Sequence, residues 1–307
     1  PKEFNAYYLP YSVGVLWSYA EQFLNIKSKF ELGEFIWRRE MLDDAVNKLK
    51  DSDILAFSTY IWNKSYNYAL AKRLKELNPN CLIMFGGPEP PIEKANLFEL
   101  YPFIDIAVKQ EGETTFKDIL EHYETGDFEN VSGLLINKNN QVFETAKRER
   151  IDDIDVIPSP YLTGVFDKLI SDNPDVEWNA VIESNRGCPY QCTFCDWGSL
   201  TYNKVKKFNL QRVIDELEWI GKNKVGFISI ADANFGIFPD RDNIIADKLI
   251  EIQQNYGCPN AYTISWAKNQ KKEIIEIVKR LVNNGARMGL TVSVQSLDDN
   301  VLEIIKR

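Results

Sequence analysis

Three of the chain's five cysteines, Cys188, Cys192 and Cys195, fall within eight positions of "NRGCPYQCTFCDWG", residues 185–198. A disulfide consumes two thiols and a closed structural zinc site takes four ligands. Three thiolates on a four-iron cluster would leave one iron open to a substrate or cofactor. The spacing is CxxxCxxC, with Gly187 and Pro189 shaping a turn, and thiolates suit zinc or iron–sulfur clusters. A loop can wrap such a cluster, whereas a regular helix cannot aim thiols at these spacings at one centre. A zinc site with a distant fourth ligand is the plainer alternative. Cys81 and Cys258 have no metal-binding neighbour in sequence, and the single histidine, His122, sits far away in a helical stretch.

Such a loop needs elements to hold it. The chain has 307 residues, enough for two domains. Strand-like and helix-like segments alternate through the first half. Helices are read at residues 13–26, 41–49, 64–77 and 114–123, and strands at 53–58, 81–87 and 104–109, with a further short strand at 30–37. Alternation of this kind predicts a doubly wound parallel sheet of flavodoxin-like type, with ligands beyond the carboxyl ends of its strands. Those ends read "STYIWN", "GGPEP" and "QEGE". The stretch "VSGLLINKNNQVFET" predicts a hairpin turning at "KNN".

The domains are expected at residues 1–145 and 177–307. The connection at 146–176 contains the acidic, proline-bearing "IDDIDVIPSPYLTG". Four strand–helix pairs follow it, forming a partial (βα) barrel in an α/β chain. The strands are expected at 180–185, 225–231, 261–266 and 288–295. The helices are expected at 210–223, 240–256, 271–284 and from 298 onward. The cysteine loop follows the first strand.

Side chains alternate across a strand. Glu183 with Asn185, Thr263 with Ser265, and Thr291 with Ser293 and Gln295 would each share a face. A polar stripe on three strands predicts a lumen that takes a polar ligand, because a closed barrel is otherwise filled with Val, Ile and Leu. Lys268 and Asn269, ending the third strand, are candidates to face a substrate.

Net charge is −9, which argues against nucleic acid or an anionic membrane as partner. No apolar run reaches the ~18–20 residues of a membrane span. An odd cysteine count with three clustered fits a reducing compartment, so the cytoplasm is expected.

The cysteine loop, with Phe194 before its last cysteine and a strand before the first, resembles the radical S-adenosylmethionine (SAM) superfamily. "ESNRGCPYQCTFCDWG", "DANFGI" followed by "RD", and "VQSLDDNVLEIIKR" resemble members that carry an N-terminal cobalamin-binding domain. So do "STYIWN", "GGPEP" and "EGE". The resemblance spans nearly the whole chain. It implies that Cys188, Cys192 and Cys195 hold a 4Fe-4S cluster whose open iron SAM chelates. It also implies that reduction cleaves SAM to methionine and a 5′-deoxyadenosyl radical, with Phe194 near the adenine. Glu183, Ser293 and Gln295 become SAM candidates. The usual Gly-Gly-Glu after the second strand is replaced by "ADANFG", which offers Asp232 and Asn234.

For cobalamin, the resemblance implies Ser58, Thr59, Gly86 and Gly87 along the dimethylbenzimidazole tail, although glycines after a strand also suit a ligand-free flavodoxin-like fold. Many cobalamin domains carry D-x-H-x-x-G on the loop before the first helix. That loop here reads "LPYSVG", with Gly14 kept, Leu9 at the aspartate position and Tyr11 at the histidine position. Cobalamin would then be base-off with no histidine ligand, and His122 would be a solvated helix-end residue.

The implied activity is C-methylation of a small molecule or biosynthetic intermediate, served by an electron donor such as flavodoxin or ferredoxin. Methylcobalamin would supply the methyl group and a second SAM would restore it. A non-methylating rearrangement or oxidation, and a non-catalytic cobalamin or cluster sensor, are the alternatives. A methylthiotransferase would carry three more cysteines in the first half, which holds only Cys81, expected as a core residue. Similar cores have six strand–helix units and four are counted here. An open arc of four parallel strands, a truncated core with weak SAM binding, is expected.

Overall fold

A computed structural model describes residues 5–89, 96–195, 204–268, 271–290 and 293–306. The chain forms two units, Ser12–Ile151 and a discontinuous one made of Pro1–Tyr11 with Asp152–Arg307. The discontinuity comes from β1 (Ala6–Tyr8), which lies parallel to β7 (Glu177–Ile182) in register Ala6 with Glu177.

In the Ser12–Ile151 unit, the helical stretch read at 13–26 is two helices, α1 (Tyr11–Ala20) and the short α2 (Leu24–Lys27). Residues 30–37 form no strand and join no sheet. Next come α3 (Leu42–Leu49), β2 (Ile54–Ser58), α4 (Lys64–Leu77), β3 (Leu82–Gly86), α5 (Leu97–Leu100), β4 (Ile106–Val108) and α6 (Glu113–Glu121). The hairpin β5 (Leu134–Lys138) and β6 (Gln141–Glu144) follows. Sheet order is β2-β3-β4-β5-β6, with β2, β3 and β4 parallel and the hairpin antiparallel. Asn139 and Asn140 at the hairpin turn have φ of 53° and 64°, the left-handed values that a two-residue turn demands and Asn tolerates.

The apolar run at β3 is buried on both sides. Ile83 and Phe85 pack with Ala45, Leu70 and Leu74 of α3 and α4, while Met84 packs with Ile106, Ile119 and Leu134. A sheet covered on both faces reads as continuous apolar sequence, not as alternation. Each fully buried large side chain of this kind contributes about 1.5–3 kcal/mol.

In the other unit, the stretch expected as a connection is packed. Ile154, Ile157, Tyr161 and Phe166 are each 1% exposed. The Tyr161 hydroxyl donates to the Val181 carbonyl at 2.6 Å and accepts from the Val181 N–H at 3.1 Å. The short helix α7 (Asp167–Asp172) leads into β7, and β8 (Asn185–Gly187) pairs antiparallel with β9 (Val205–Lys207). Then come α8 (Leu210–Lys222), β10 (Phe227–Phe235), α9 (Pro239–Tyr256), β11 (Ala261–Trp266), α10 (Lys271–Asn283) and α11 (Asp299–Ile304). The main sheet runs β1-β7-β10-β11, all parallel.

Four parallel strands were expected, but not this set. The expected fourth strand at 288–295 is no strand among its described residues. Next to it a single parallel bridge joins Arg287 to Ala261. Gln295 has φ 67°, a left-handed value that breaks an extended run. The fourth place is taken by β1, on the opposite edge.

Candidate functional site

Alternation on β11 separates buried Tyr262, Ile264 and Trp266 from exposed Thr263 and Ser265. In register with them, Ser229 of β10 lies between Thr263 and Val181 of β7. The pairing of Glu183 with Asn185 on one face does not hold. The alternation of β7 stops at Ile182, and Asn185 begins β8 as a buried residue. Its amide donates to Asp232 Oδ2 at 2.7 Å. Glu183 instead accepts from the Tyr11 hydroxyl at 3.2 Å and from Arg186 Nη2 at 2.8 Å.

The cysteine loop is gripped from below by the end of β10. Asp232 is fully buried; its Oδ1 accepts the Ser184 and Asn185 backbone N–H groups at 2.7 and 3.1 Å, and its Oδ2 takes the Ser184 hydroxyl. Burial pushes its carboxyl up to about 7, against the pull of these hydrogen bonds. Arg241 completes the grip, donating to the carbonyls of Ser184 at 3.1 Å and Phe208 at 2.6 Å. Asp242 accepts from the N–H groups of Gly236 at 2.7 Å and Phe238 at 3.0 Å, fixing the turn into α9. The "RD" after "DANFGI" therefore has a positional role that the sequence marked but did not explain.

Gly187, directly before Cys188, has φ +121°, and a Cβ there would lie 2.0 Å from the Lys204 carbonyl oxygen. Only glycine lets β8 and β9 approach so closely. Cys188 and Cys192 are buried, Cys195 is half-buried, and all three are free thiols. Asn234 Nδ2 lies 3.2 Å from Cys188 Sγ, and Lys268 Nζ lies 3.8 Å from Cys192 Sγ. Phe194 is 52% exposed. Ser293 and Gln295 are exposed. Thr291 and Asn269 lie outside the described residues.

In the Ser12–Ile151 unit, Ser58 ends β2 with Thr59 just past it, and Gly86 ends β3 with Gly87 just past it. The two ends are tied by Thr59 N–H to the Gly86 carbonyl at 2.8 Å, and a Cβ on Gly87 would sit 2.6 Å from the Thr59 carbonyl oxygen. Thr59 is fully buried and takes the Asn67 amide at 3.1 Å, while Ser58 meets Ser12 at 3.0 Å. Gly14 is buried within α1. Tyr11 stands in the first turn of α1, not on a loop, and belongs with the other unit. It stacks on Tyr161 there, and burial raises its hydroxyl well above the ordinary range. His122 ends α6 half-buried, its Nδ1 2.9 Å from the Asp118 carbonyl oxygen. Cys81 is 2% exposed and burial pushes its thiol up to about 11, as befits an inert core residue.

Residues 33–120 match the family model of the B12 binding domain, and residues 182–307 match that of the radical SAM superfamily. The chain belongs to the radical SAM superfamily, in the subgroup that carries a B12-binding domain. The first match contains Ser58, Thr59, Gly86 and Gly87 and begins after Tyr11 and Gly14. The second contains the cysteine loop. This radical SAM chain is 36% identical over 304 residues to the cobalamin-dependent radical SAM methyltransferase TokK of Streptomyces tokunonensis. It is 34% identical over 304 residues to the 2-(S-pantetheinyl)-carbapenam-3-carboxylate methyltransferase of Streptantibioticus cattleyicolor. Each alignment covers 98% of this chain and 44% of the relative, so the chain spans less than half the length of these relatives. The fold is shared with TsrM of Kitasatospora setae, solved with cobalamin and a [4Fe-4S] cluster. The TM-score is 0.67 at 15% identity, over 96% of this chain and 59% of that one. It is shared also with OxsB, solved with aqua-cobalamin, with a TM-score of 0.65 at 18% identity, over 99% and 44%.

The cofactors of this subgroup are cobalamin, SAM and a 4Fe-4S cluster, and the residues present fit them. The donor set is three thiols on one loop, and beside Cys188 the Oδ1 of Asn234 is buried with no hydrogen-bond partner among the described residues. Ser58 closes β2, and Gly86 and Gly87 lie at the end of β3, small residues at the carboxyl ends of parallel strands where ligands of such folds bind. No described helix is long and apolar enough to cross a membrane.

Proposed function

We propose that this chain forms the cofactor-binding part of a cobalamin-dependent radical SAM methyltransferase that acts on a small-molecule carbon. The observation that carries this reading is the tandem of a B12-binding domain and a radical SAM domain, aligned over 98% of the chain with TokK. Cys188, Cys192 and Cys195 hold the cluster, and Ser58, Thr59, Gly86 and Gly87 line the cobalamin tail. When bound, the cluster supplies the electron for SAM cleavage and cobalamin carries the methyl group. The protein's own work is placement. Asp232 and Arg241 fix the base of the loop, Gly187 sets its entry, and Glu183, held by Tyr11 and Arg186, presents a carboxylate beyond the end of β7. Phe194 offers an exposed aromatic face to the adenine, with Asn234, Ser293 and Gln295 as further SAM contacts. An electron donor of the flavodoxin or ferredoxin class reduces the cluster.

Similarity at 26% identity over 224 residues to an anaerobic magnesium-protoporphyrin IX monomethyl ester cyclase of Cereibacter sphaeroides keeps a non-methylating radical reaction as the second reading. One experiment separates the readings. The protein is reconstituted anaerobically with iron, sulfide and cobalamin, then given SAM, dithionite and 2-(S-pantetheinyl)-carbapenam-3-carboxylate as the first probe. Formation of both 5′-deoxyadenosine and S-adenosylhomocysteine with a methylated product supports the methyltransferase. 5′-Deoxyadenosine with no methyl transfer to any substrate tried supports the second reading. Neither product from protein loaded with iron and cobalt would mark a sensor.

A further inference from the structure

Two nitrogen donors, one near the end of β10 and one just past β11, lie beside two different sulfurs of the cysteine loop. Asn234, near the end of β10, is 3% exposed and brings its Nδ2 to 3.2 Å from Cys188 Sγ. A sulfur that ligates metal accepts hydrogen bonds, so the amide nitrogen, not the oxygen, faces it. Lys268, just past β11, brings Nζ to 3.8 Å from Cys192 Sγ, and the same ammonium lies 5.6 Å from the centre of the Tyr190 ring. Tyr190 lies between the first two cysteines, so its ring holds the cation beside the loop.

Neither position follows from packing alone. An apolar residue would fill the Asn234 site without leaving a buried Oδ1 unpartnered. A lysine at a strand end gains more by reaching for water than by turning over a thiol. Both residues place positive charge or partial positive charge at sulfur. Adding an electron to an iron–sulfur cluster increases the negative charge on its sulfurs. Donors at sulfur therefore stabilise the reduced state more than the oxidised one and raise the reduction potential.

We propose that Asn234 and Lys268 are positioning residues that ease one-electron reduction of the cluster, acting through Cys188 and Cys192. This rests on the cluster reading given under Proposed function. The step is a single electron passing from a low-potential donor to the cluster; the donor is oxidised by one electron, and no bond is made or broken in the protein. Asn234 keeps the SAM contact read from the sequence and, through its amide nitrogen, also serves the ligand side of the loop.

The test is a reductive titration of the anaerobically reconstituted protein without SAM, with dithionite as donor, followed by electron paramagnetic resonance. The variants are Asn234→Leu, Lys268→Met, their combination, and Lys268→Arg. The midpoint potential should shift to more negative values in Asn234→Leu and in Lys268→Met, and furthest in the double variant. Lys268→Arg, which keeps the charge, should titrate close to wild type. Lys268 is half-buried, so its variants keep the test open even if Asn234→Leu disturbs the core. Iron-loaded Lys268→Met titrating at the wild-type potential would overturn the inference. Wild-type protein that binds no iron would overturn the cluster reading itself, and this inference with it.

Discussion

Asp232 accepts the backbone N–H of Ser184 at 2.7 Å, joining the end of β10 to the residue that opens the turn into the cysteine loop. Its other partners are the Ser184 hydroxyl and both nitrogens of Asn185, so every group that meets this carboxylate is a donor. Asp232→Asn would turn an amide donor toward donors in a fully buried place. We expect a loss of about 2–3 kcal/mol from unsatisfied buried groups, read by urea unfolding, and reduced iron retention. Unchanged stability would show that the contacts hold nothing in place.

The three thiols should bind about four irons and four sulfides per chain after anaerobic reconstitution. Cys192→Ala should lose them. Metal and sulfide analysis with the visible spectrum reads this directly, and stoichiometric zinc without iron would refute it.

Gly187→Ala should destabilise the Asp152–Arg307 unit and prevent cluster loading. The added methyl meets the Lys204 carbonyl at 2.0 Å in a left-handed backbone conformation, and strain of this kind costs about 1–3 kcal/mol before any clash is relieved. Thermal unfolding of the variant beside wild type gives the answer; equal melting temperatures would mean that the β8–β9 pairing adapts freely.

Bound cobalamin should be base-off with no histidine on cobalt. The single histidine ends α6 with its Nδ1 near the Asp118 carbonyl. His122→Ala should leave the absorption and paramagnetic resonance spectra of the cobalamin-loaded protein unchanged. A nitrogen signature on the lower face of cobalt that vanishes in this variant would contradict the assignment.

Glu218 gives a pH dependence away from the site. A hydrogen bond from the Tyr256 hydroxyl, then the Lys248 ammonium at 2.9 Å, holds its carboxyl down at about 2, below the ordinary 4.5. A depressed folded-state value means that the ionised form is favoured by folding. Its contribution is therefore complete above about pH 5 and is lost as pH falls toward 2. The stability difference between wild type and Glu218→Gln should be constant near neutrality and shrink through that window. A difference that grows on acidification would reverse the sign.

Much of this was legible in the sequence where local signals and tertiary structure agree. The helix at Lys64–Leu77 and the strand at Ala261–Trp266 appear at their expected bounds, because helical periodicity in one and alternation in the other match what their surroundings bury. The hairpin turned where two asparagines could take left-handed values. The misreadings share one cause, contacts distant in sequence. Residues 30–37 look like a strand but join no sheet. Residues 288–295 carry the alternation of a strand, yet among the described residues only neighbouring Arg287 makes a bridge. For Asp232 and Asn234 the ligand role stands as read, but no local pattern reveals that Ser184, Asn185 and Cys188 also meet them. Tyr11 matched a histidine position by spacing, and spacing could not show that its hydroxyl meets a glutamate 172 residues later.

The pairing of β1 with β7 also constrains how the polypeptide can mature. Residues 12–151 lie, in chain order, inside the other unit. β1 has its partner about 170 residues downstream, so the inserted unit can complete its own sheet while β1 still waits. Contacts closed over so long a span form slowly. Expressing residues 152–307 alone would leave an edge of β7 bare, so a clean dissection of the two units must keep β1, either supplied in trans or joined to residue 152 by a linker.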